Sequence, residues 1–295
     1  MLEAGIVYRV TDLVIEAGAF ILAELQRPGG PRGSGYKAEV DVEIEVMLRR
    51  GLEQILNCDF VGEETGRHQT GHRYCWVVDP NDGTADFLAR RPGSAVSVGL
   101  LDEGEPVLGV VYAPATPRGP DCIAWQQGMR LLLRNGQAIE PCGANRVLQG
   151  SVVFVSTAAA SKRAENDILC TPAICEPMPS IAYRLARVAA GDGAAGVSLY
   201  PVSPHDVVAG QALLKAVGAD IFDQDGKPIR YTASAEFTYP VEQCFGGQSE
   251  ACRTLLARPW LNLLQLRPEV SAPALLATIW MDAASVSSRP ILLKK

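Results

Sequence analysis

A mixed α/β protein, built of layered sheets covered by helices, is the architecture this sequence predicts. Some segments repeat apolar residues at helical spacing, and others alternate or run them continuously over strand lengths. Both textures recur in the two halves of the chain, which argues for sheets with helical layers rather than an all-α or all-β fold. With 295 residues, 47% of them apolar, there is material for one large domain or two ordinary ones and for a sizeable core.

In order along the chain, YRVTDLVIEAGAFILAEL (8–25) sets Val10, Leu13, Val14, Ala17, Phe20, Ile21 and Leu25 on one helical stripe. RPGGPRGSG (27–35) is a Gly/Pro loop, expected to be mobile and basic. KAEVDVEIEVMLRRGLEQIL supports two readings. Val40, Val42, Ile44 and Val46 alternate as in a strand, whereas Ile44, Met47/Leu48, Leu52 and Ile55 suit a helix. From about residue 74 strands dominate: YCWVVD, then SAVSVGLL and PVLGVVYAP as a hairpin across DEGE, then a second hairpin closed by Asn135-Gly136.

The segment 140–150 is the expected boundary, giving 1–145 as an N-terminal α+β domain and 146–255 as a C-terminal α/β domain. In the second half SVVFVST is a strand, SIAYRLARVAAG a helix, GVSLYP a strand, SPHDVVAGQALLKAVGA a helix and ADIFDQDGKPI a strand and turn. Residues 256–295 are apolar and Pro-interrupted, an extension of unknown role. No internal repeat is visible.

Net charge is −6 without a Lys/Arg block, which argues against nucleic acid or an anionic membrane as partner. The eight cysteines form no CxxC pair and no Cys/His cluster, and the chain does not open on a secretion signal. Reduced cysteines in a cytoplasmic protein are the expectation.

The most informative stretch is WVVDPNDGTADF. A buried strand delivers Asp79 to a sheet end, Pro80 stops the ladder, and Asn81-Asp82-Gly83 is turn chemistry, with Gly83 free to take a positive φ. An Asx turn accounts for one carboxylate but not for two on one short arc. Close carboxylates repel unless a cation lies between them, and Mg²⁺ takes hard oxygen ligands of this kind. Gly83 and Thr84 also offer amides suited to a phosphate oxygen. Upstream, VGEETG carries Glu63 and Glu64, by themselves a solvated pair. Downstream, Ser203-Pro204-His205-Asp206 reads as a helix start with Asp206 in a capping box.

GEE, DPNDGTADF and PHDVVAG, in that order and spacing, resemble the inositol monophosphatase superfamily of lithium-sensitive, Mg²⁺-dependent phosphatases, whose pattern reads GEE, DPxDGTxxF, WDxAAG. The resemblance covers about residues 8–250. It implies a five-layered αβαβα sandwich of the inositol monophosphatase/fructose-1,6-bisphosphatase type, and a phosphomonoesterase that uses metal-activated water. It also implies two or three Mg²⁺ held by Glu63, Asp79, the Asn81 carbonyl, Asp82 and Asp206, inhibition by Li⁺, and a homodimer. By the same resemblance Asp41 lies on a helix, settling the ambiguous segment, and Thr84 pairs with it to orient water on the Glu63 side. The Gly83 and Thr84 amides grip phosphate, the Asp82 side faces the leaving group, and Arg184 stands where bisphosphate nucleotidases favour a basic substrate contact.

Four positions depart from the pattern. His205 stands where relatives carry Trp, which alters packing behind Asp206; Ala85 and Asp86 follow the DGT; and Leu199 stands where inositol-cleaving members place a Glu for sugar hydroxyls. The expected substrate is therefore a small phosphate monoester, with adenosine 3′,5′-bisphosphate as the alternative and a non-catalytic metal- and anion-binding relative as the contrast.

Three further features read as structural. Gly191-x-Gly193-x-x-Gly196 follows a helix and precedes a strand, so it is a helix end rather than a dinucleotide fingerprint. His68 and His72 sit in a polar loop without a third ligand, and Arg90-Arg91 reads as surface charge.

Overall fold

The computed structural model describes residues 2–140 and 148–260. Met1–Leu256 form one compact unit, and the second, Ala257–Lys295, lies almost wholly outside the described residues, as does most of the expected boundary segment.

Helix α1 (Ile6–Leu25) is followed by a small hairpin, β1 (Gly33–Ser34) and β2 (Lys37–Ala38), and by α2 (Glu39–Ile55). The ambiguous segment is thus helical. Val40, Ile44, Leu48 and Leu52 form its buried stripe, while Val42 is exposed and Glu45 buried, the reverse of what alternation requires. The Gly/Pro loop expected to be mobile is tied by Arg32, whose guanidinium bonds Glu24 at 2.8 Å.

An eight-stranded sheet follows: β3 (Asp59–Gly62), β4 (Arg67–His68), β5 (Tyr74–Asp82), the short helix α3 (Thr84–Leu88), β6 (Ala95–Asp102), β7 (Glu105–Ala113), β8 (Asp121–Gln126), β9 (Leu132–Arg134) and β10 (Gln137–Ile139). Its order is β10-β9-β8-β7-β6-β5-β3-β4, antiparallel throughout except where β3 runs parallel to β5. Both hairpins read from the sequence, β6–β7 and β9–β10, are present.

The second sheet is built from β11 (Val152–Ser156), β12 (Ile174–Met178), β13 (Ala195–Ser198), β14 (Asp220–Asp223) and β15 (Cys244–Gly247). Its order is β12-β11-β13-β15-β14. Its helices are α4 (Arg163–Cys170), α5 (Ile181–Ala189), α6 (Pro204–Ala216) and α7 (Ser249–Leu256).

Pleating sorts each strand between two cores. Trp76 and Val78 of β5, with Val96, Val98 and Leu100 of β6, face α1 and α2, whereas Cys75, Val77, Ala95 and Leu101 face the other way, onto α5 and α6. The α5/α6 layer continues into Phe154, Ile221 and Cys244 of the smaller sheet, which α4 and α7 cover from outside. The result is the five-layered αβαβα sandwich. Trp76 and Phe60 are fully buried, each contributing roughly 1.5–3 kcal/mol of apolar transfer.

Two glycines set how close the layers come. A Cβ on Gly99 would meet the Ala209 nitrogen at 2.9 Å, and one on Gly109 the Ala209 carbonyl oxygen at 2.3 Å. Helix α6 therefore rests backbone to backbone on β6 and β7, and its first turn reaches the end of β5.

Among the described residues no helix is long and apolar enough to cross a membrane. Seven cysteines there are buried thiols; Cys142 lies outside them.

Candidate metal and phosphate site

The parallel pair β3–β5 explains why Glu63 and Asp79 meet. Gly62 stands opposite Val78, so the next residue of each strand emerges at the same sheet end, with the Glu63 amide bonded to the Val78 carbonyl at 3.2 Å. Buried Glu45 steadies the loop beyond by accepting from the amides of Glu64, at 2.9 Å, and Thr65. Gly62 leaves room for that carboxylate, since a Cβ there would lie 2.2 Å from Glu45 Oε1.

Asp79 accepts from the Asn81 amide at 2.9 Å, so the Asx turn is real. Gly83 has φ 97°, and a Cβ on it would meet Pro179 at 3.2 Å. Asp82, three residues on, is fixed through one oxygen: Oδ2 accepts from Ser180 Oγ at 2.6 Å and from the Ala182 amide at 2.7 Å. Ser180 is itself the N-cap of α5, so one side chain ties the acid loop to the C-terminal half. Asp206 occupies the third position of α6 in a complete capping box with Ser203. That box holds the backbone while one carboxylate oxygen, Oδ1, lies 3.8 Å from His205 Nε2.

The acids converge. One ligand atom each of Asp79, Asp82 and Asp206 lies within 4.8 Å of the others, and the same holds for Glu63, Asp79 and His205, so Asp79 belongs to both groups. Such crowding leaves a signature in protonation. Burial, then the charges of Glu63, Asp82 and Asp206, push Asp79 well above the carboxylate range. Desolvation and Asp206 raise Asp82 to about 6, and desolvation raises Asp206 to about 6. Glu63 is exposed as a residue, but its carboxyl faces the other acids. Loss of water around it, then the charge of Asp206, lifts it to about 8. Carboxylates this close need a proton or a cation between them.

The donor set is oxygen-rich, as Mg²⁺ requires. Asn81 Oδ1 is buried without a partner among the described residues, an acceptor that an ion or its water would satisfy. The residues present therefore fit divalent cations.

Beside this cluster, Asp41 is buried on the first turn of α2. It accepts from Asn81 Nδ2 at 3.0 Å and from Thr84 Oγ1 at 3.1 Å, and burial lifts its carboxyl to about 6. Thr84 Oγ1 also lies 3.1 Å from the Asn81 carbonyl oxygen. The amides of Gly83 and Thr84 precede the hydrogen-bond ladder of α3 and lie on the same turn.

Other expected positions fall elsewhere. Arg184 is buried on α5, and its guanidinium serves the carbonyls of Ser180, Val197 and Pro179. Those bonds engage three of its five donors, and its charge draws the pKa values of Asp82 and Asp206 down. Asp86 pairs with Arg91 and accepts from Thr157 Oγ1 at 2.7 Å, joining the loop to the C-terminal half. Leu199, directly after β13, is half-buried. His68 and His72 are exposed, and Gly191, at φ 89°, ends α5.

Sequence reasoning missed Glu45 and Ser180. The serine carries a helix-start signal, but its bond to Asp82 spans ninety-eight residues and leaves no local pattern.

The inositol monophosphatase family model matches residues 9–261. A probable inositol 1-monophosphatase of Mycobacterium tuberculosis, ImpA, is 30% identical over 67% of this chain and 74% of its own length. The 3′(2′),5′-bisphosphate nucleotidase CysQ of Shigella flexneri is 30% identical over 58% of this chain and 68% of its own. Among solved structures, the inositol monophosphatase from Anabaena superposes with a TM-score of 0.65 at 22% identity, covering 89% of this chain and 96% of that one. The extragenic suppressor protein suhB from Bartonella henselae gives 0.68 at 18% identity, covering 89% and 98%. Both share the fold.

Proposed function

The chain belongs to the inositol monophosphatase family and is a phosphatase, and from that premise we propose that it hydrolyses a small phosphate monoester at the Glu63/Asp79/Asp82/Asp206 cluster. The observation that carries this reading is Asp79, shared by two ligand groups within 4.8 Å. In the proposal Glu63, Asp79, the Asn81 carbonyl, Asp82 and Asp206 hold two or three Mg²⁺. Bound there, Mg²⁺ supplies positive charge that offsets the phosphate dianion and makes an attacking water more acidic.

The chain's own residues do the positioning. Thr84 Oγ1 donates to Asp41 and presents its lone pairs to a water on the Glu63 side; Asp41 is the buried acceptor behind it. The Gly83 and Thr84 amides orient the phosphate, aided by the positive φ that turns the loop toward it. Ser180 and the Ala182 amide hold Asp82 so that its free oxygen faces the leaving-group side. Arg184 is a fixed counter-charge behind Asp82 and Asp206, and in the proposal its two remaining donors supply the substrate contact.

Leu199 brings in a second substrate. It removes the carboxylate that would bind sugar hydroxyls, which favours adenosine 3′,5′-bisphosphate over inositol phosphate; Ala85, standing where the resembling nucleotidases carry a Lys, weighs the other way. Family resemblance adds inhibition by Li⁺ and a homodimer to the proposal. The seven buried thiols add a cytoplasmic location, and the division near residue 145 separates the half with most ligands from the half supplying Asp206.

The test is phosphate release from inositol 1-phosphate and from adenosine 3′,5′-bisphosphate, each with Mg²⁺ and with EDTA. Release with Mg²⁺ alone supports the mechanism, and the faster substrate identifies the class. Release that persists in EDTA refutes metal dependence, and no release from any monoester refutes the reading.

A further inference from the structure

His205 is the second residue of α6, between Pro204 and Asp206. Its sequence position suggested only altered packing. Its ring, however, stands at the acids, with one ring nitrogen within 4.8 Å of carboxylate oxygens of both Glu63 and Asp79. Nε2 lies 3.8 Å from Asp206 Oδ1, too far for a hydrogen bond. No hydrogen bond to the ring is found among the described residues, so three carboxylates face an imidazole that bonds none of them.

The backbone that carries the ring is held in place. Ser97 Oγ donates to the His205 carbonyl at 3.3 Å, and the seating of α6 on Gly99 and Gly109 leaves the helix start no room to shift toward the sheet. A half-buried imidazole fixed within ion-sharing distance of two carboxylates, unbonded to either, has the arrangement of a ligand set around a cation. The two groups that share Asp79 also differ in chemistry: Asp79/Asp82/Asp206 offers oxygen alone, whereas Glu63/Asp79/His205 offers a nitrogen. Imidazole suits divalent first-row metals such as Fe²⁺, Ni²⁺ and Zn²⁺, whereas all-oxygen sites suit Mg²⁺.

We propose that His205 is a nitrogen ligand to the ion held by Glu63 and Asp79, making that site selective for a divalent transition metal while the Asp79/Asp82/Asp206 site stays selective for Mg²⁺. This rests on the metal-dependent phosphatase reading above.

The experiment uses the metal-free full chain titrated with Mn²⁺ alone, followed by electron spin-echo spectroscopy for nitrogen coupled to the bound ion. The wild type and the H68Q/H72Q double variant are expected to show modulation from one imidazole, and His205→Gln to lose it. Mn²⁺ affinity should fall in His205→Gln by at least the roughly tenfold that removing even an outer partner of a ligand causes. Mg²⁺ affinity, measured by calorimetry, should change much less; a merely structural histidine would weaken both ions together, and that result overturns the proposal. Bound Mn²⁺ without nitrogen modulation in the wild type overturns histidine ligation and leaves the phosphatase reading standing. No Mn²⁺ binding at millimolar concentration overturns both. Should His205→Gln fail to fold, the comparison of wild type with H68Q/H72Q decides alone.

Discussion

Asp82 has one oxygen committed to Ser180 and Ala182 and the other free, so its two functions separate by substitution. In Asp82→Asn the amide oxygen can still accept both bonds, and the charge is lost. Turnover should fall on the order of a hundredfold or more, as when one preorganised electrostatic contact to a transition state is removed. Circular dichroism and melting temperature should stay close to wild type; a kcat near wild type would refute the assignment. Thr84→Val keeps shape and removes the hydroxyl on Asp41, with kcat expected to drop about 10²–10⁴-fold, the usual worth of a positioned proton acceptor, and Thr84→Ser to recover most of it. Equal loss in both would mean the hydroxyl is structural. These acids were legible in the sequence because turn chemistry needs one carboxylate and the stretch carries two. Glu45 was not: a buried Glu on an alternating segment looks like a strand's outer face until the loop it caps is known.

Elements bring these residues together through two close approaches. One is the parallel register of β3 with β5; the other is the seating of α6 on Gly99 and Gly109. Gly109→Val places atoms where the Ala209 carbonyl stands, so α6 must lift and carry His205 and Asp206 away from Asp79. A melting-temperature loss accompanied by a fall in Mg²⁺ affinity is expected, overpacking of this kind costing about 1–3 kcal/mol or more. Destabilisation with unchanged Mg²⁺ affinity would show that the seating of α6 does not set the site. The main helices and hairpins were readable from periodicity and turn pairs. Strand β15 was not, because two of its four residues are glycines, which strands disfavour. Its glycines are required by contact, since a Cβ on Gly246 would meet Leu185 at 2.1 Å and one on Gly247 the Ala194 carbonyl oxygen at 2.4 Å. Periodicity left α2 open between strand and helix and the resemblance settled it, as local pattern cannot show that Val42 is exposed and Glu45 buried.

For the whole molecule, the fold gathers negative charge in a chain already at −6, and that sets its response to pH. Asp82 and Asp206 are raised from 3.8 to about 6 and Glu63 from 4.5 to about 8, so the folded metal-free protein holds more protons than the unfolded chain across that range. Stability from these groups is present at the acid end and is lost as pH rises from about 4 toward 8. Glu24, lowered to about 2 by its bond to Arg32, acts oppositely but only below its ordinary value of 4.5. Thermal melts in EDTA should therefore show falling stability between pH 5 and 8. Added Mg²⁺ should stabilise more at the alkaline end, where protons no longer compete. A Mg²⁺ increment that is larger at pH 5 would contradict this.

The most direct measurement is anomalous scattering from a crystal soaked in Mn²⁺ and phosphate. Two peaks flanking Asp79 are expected, one toward Glu63 and one toward Asp82 and Asp206, with phosphate over the Gly83–Thr84 turn. Saturating Mn²⁺ with peaks only at other acids, or none bridging these side chains, would contradict it.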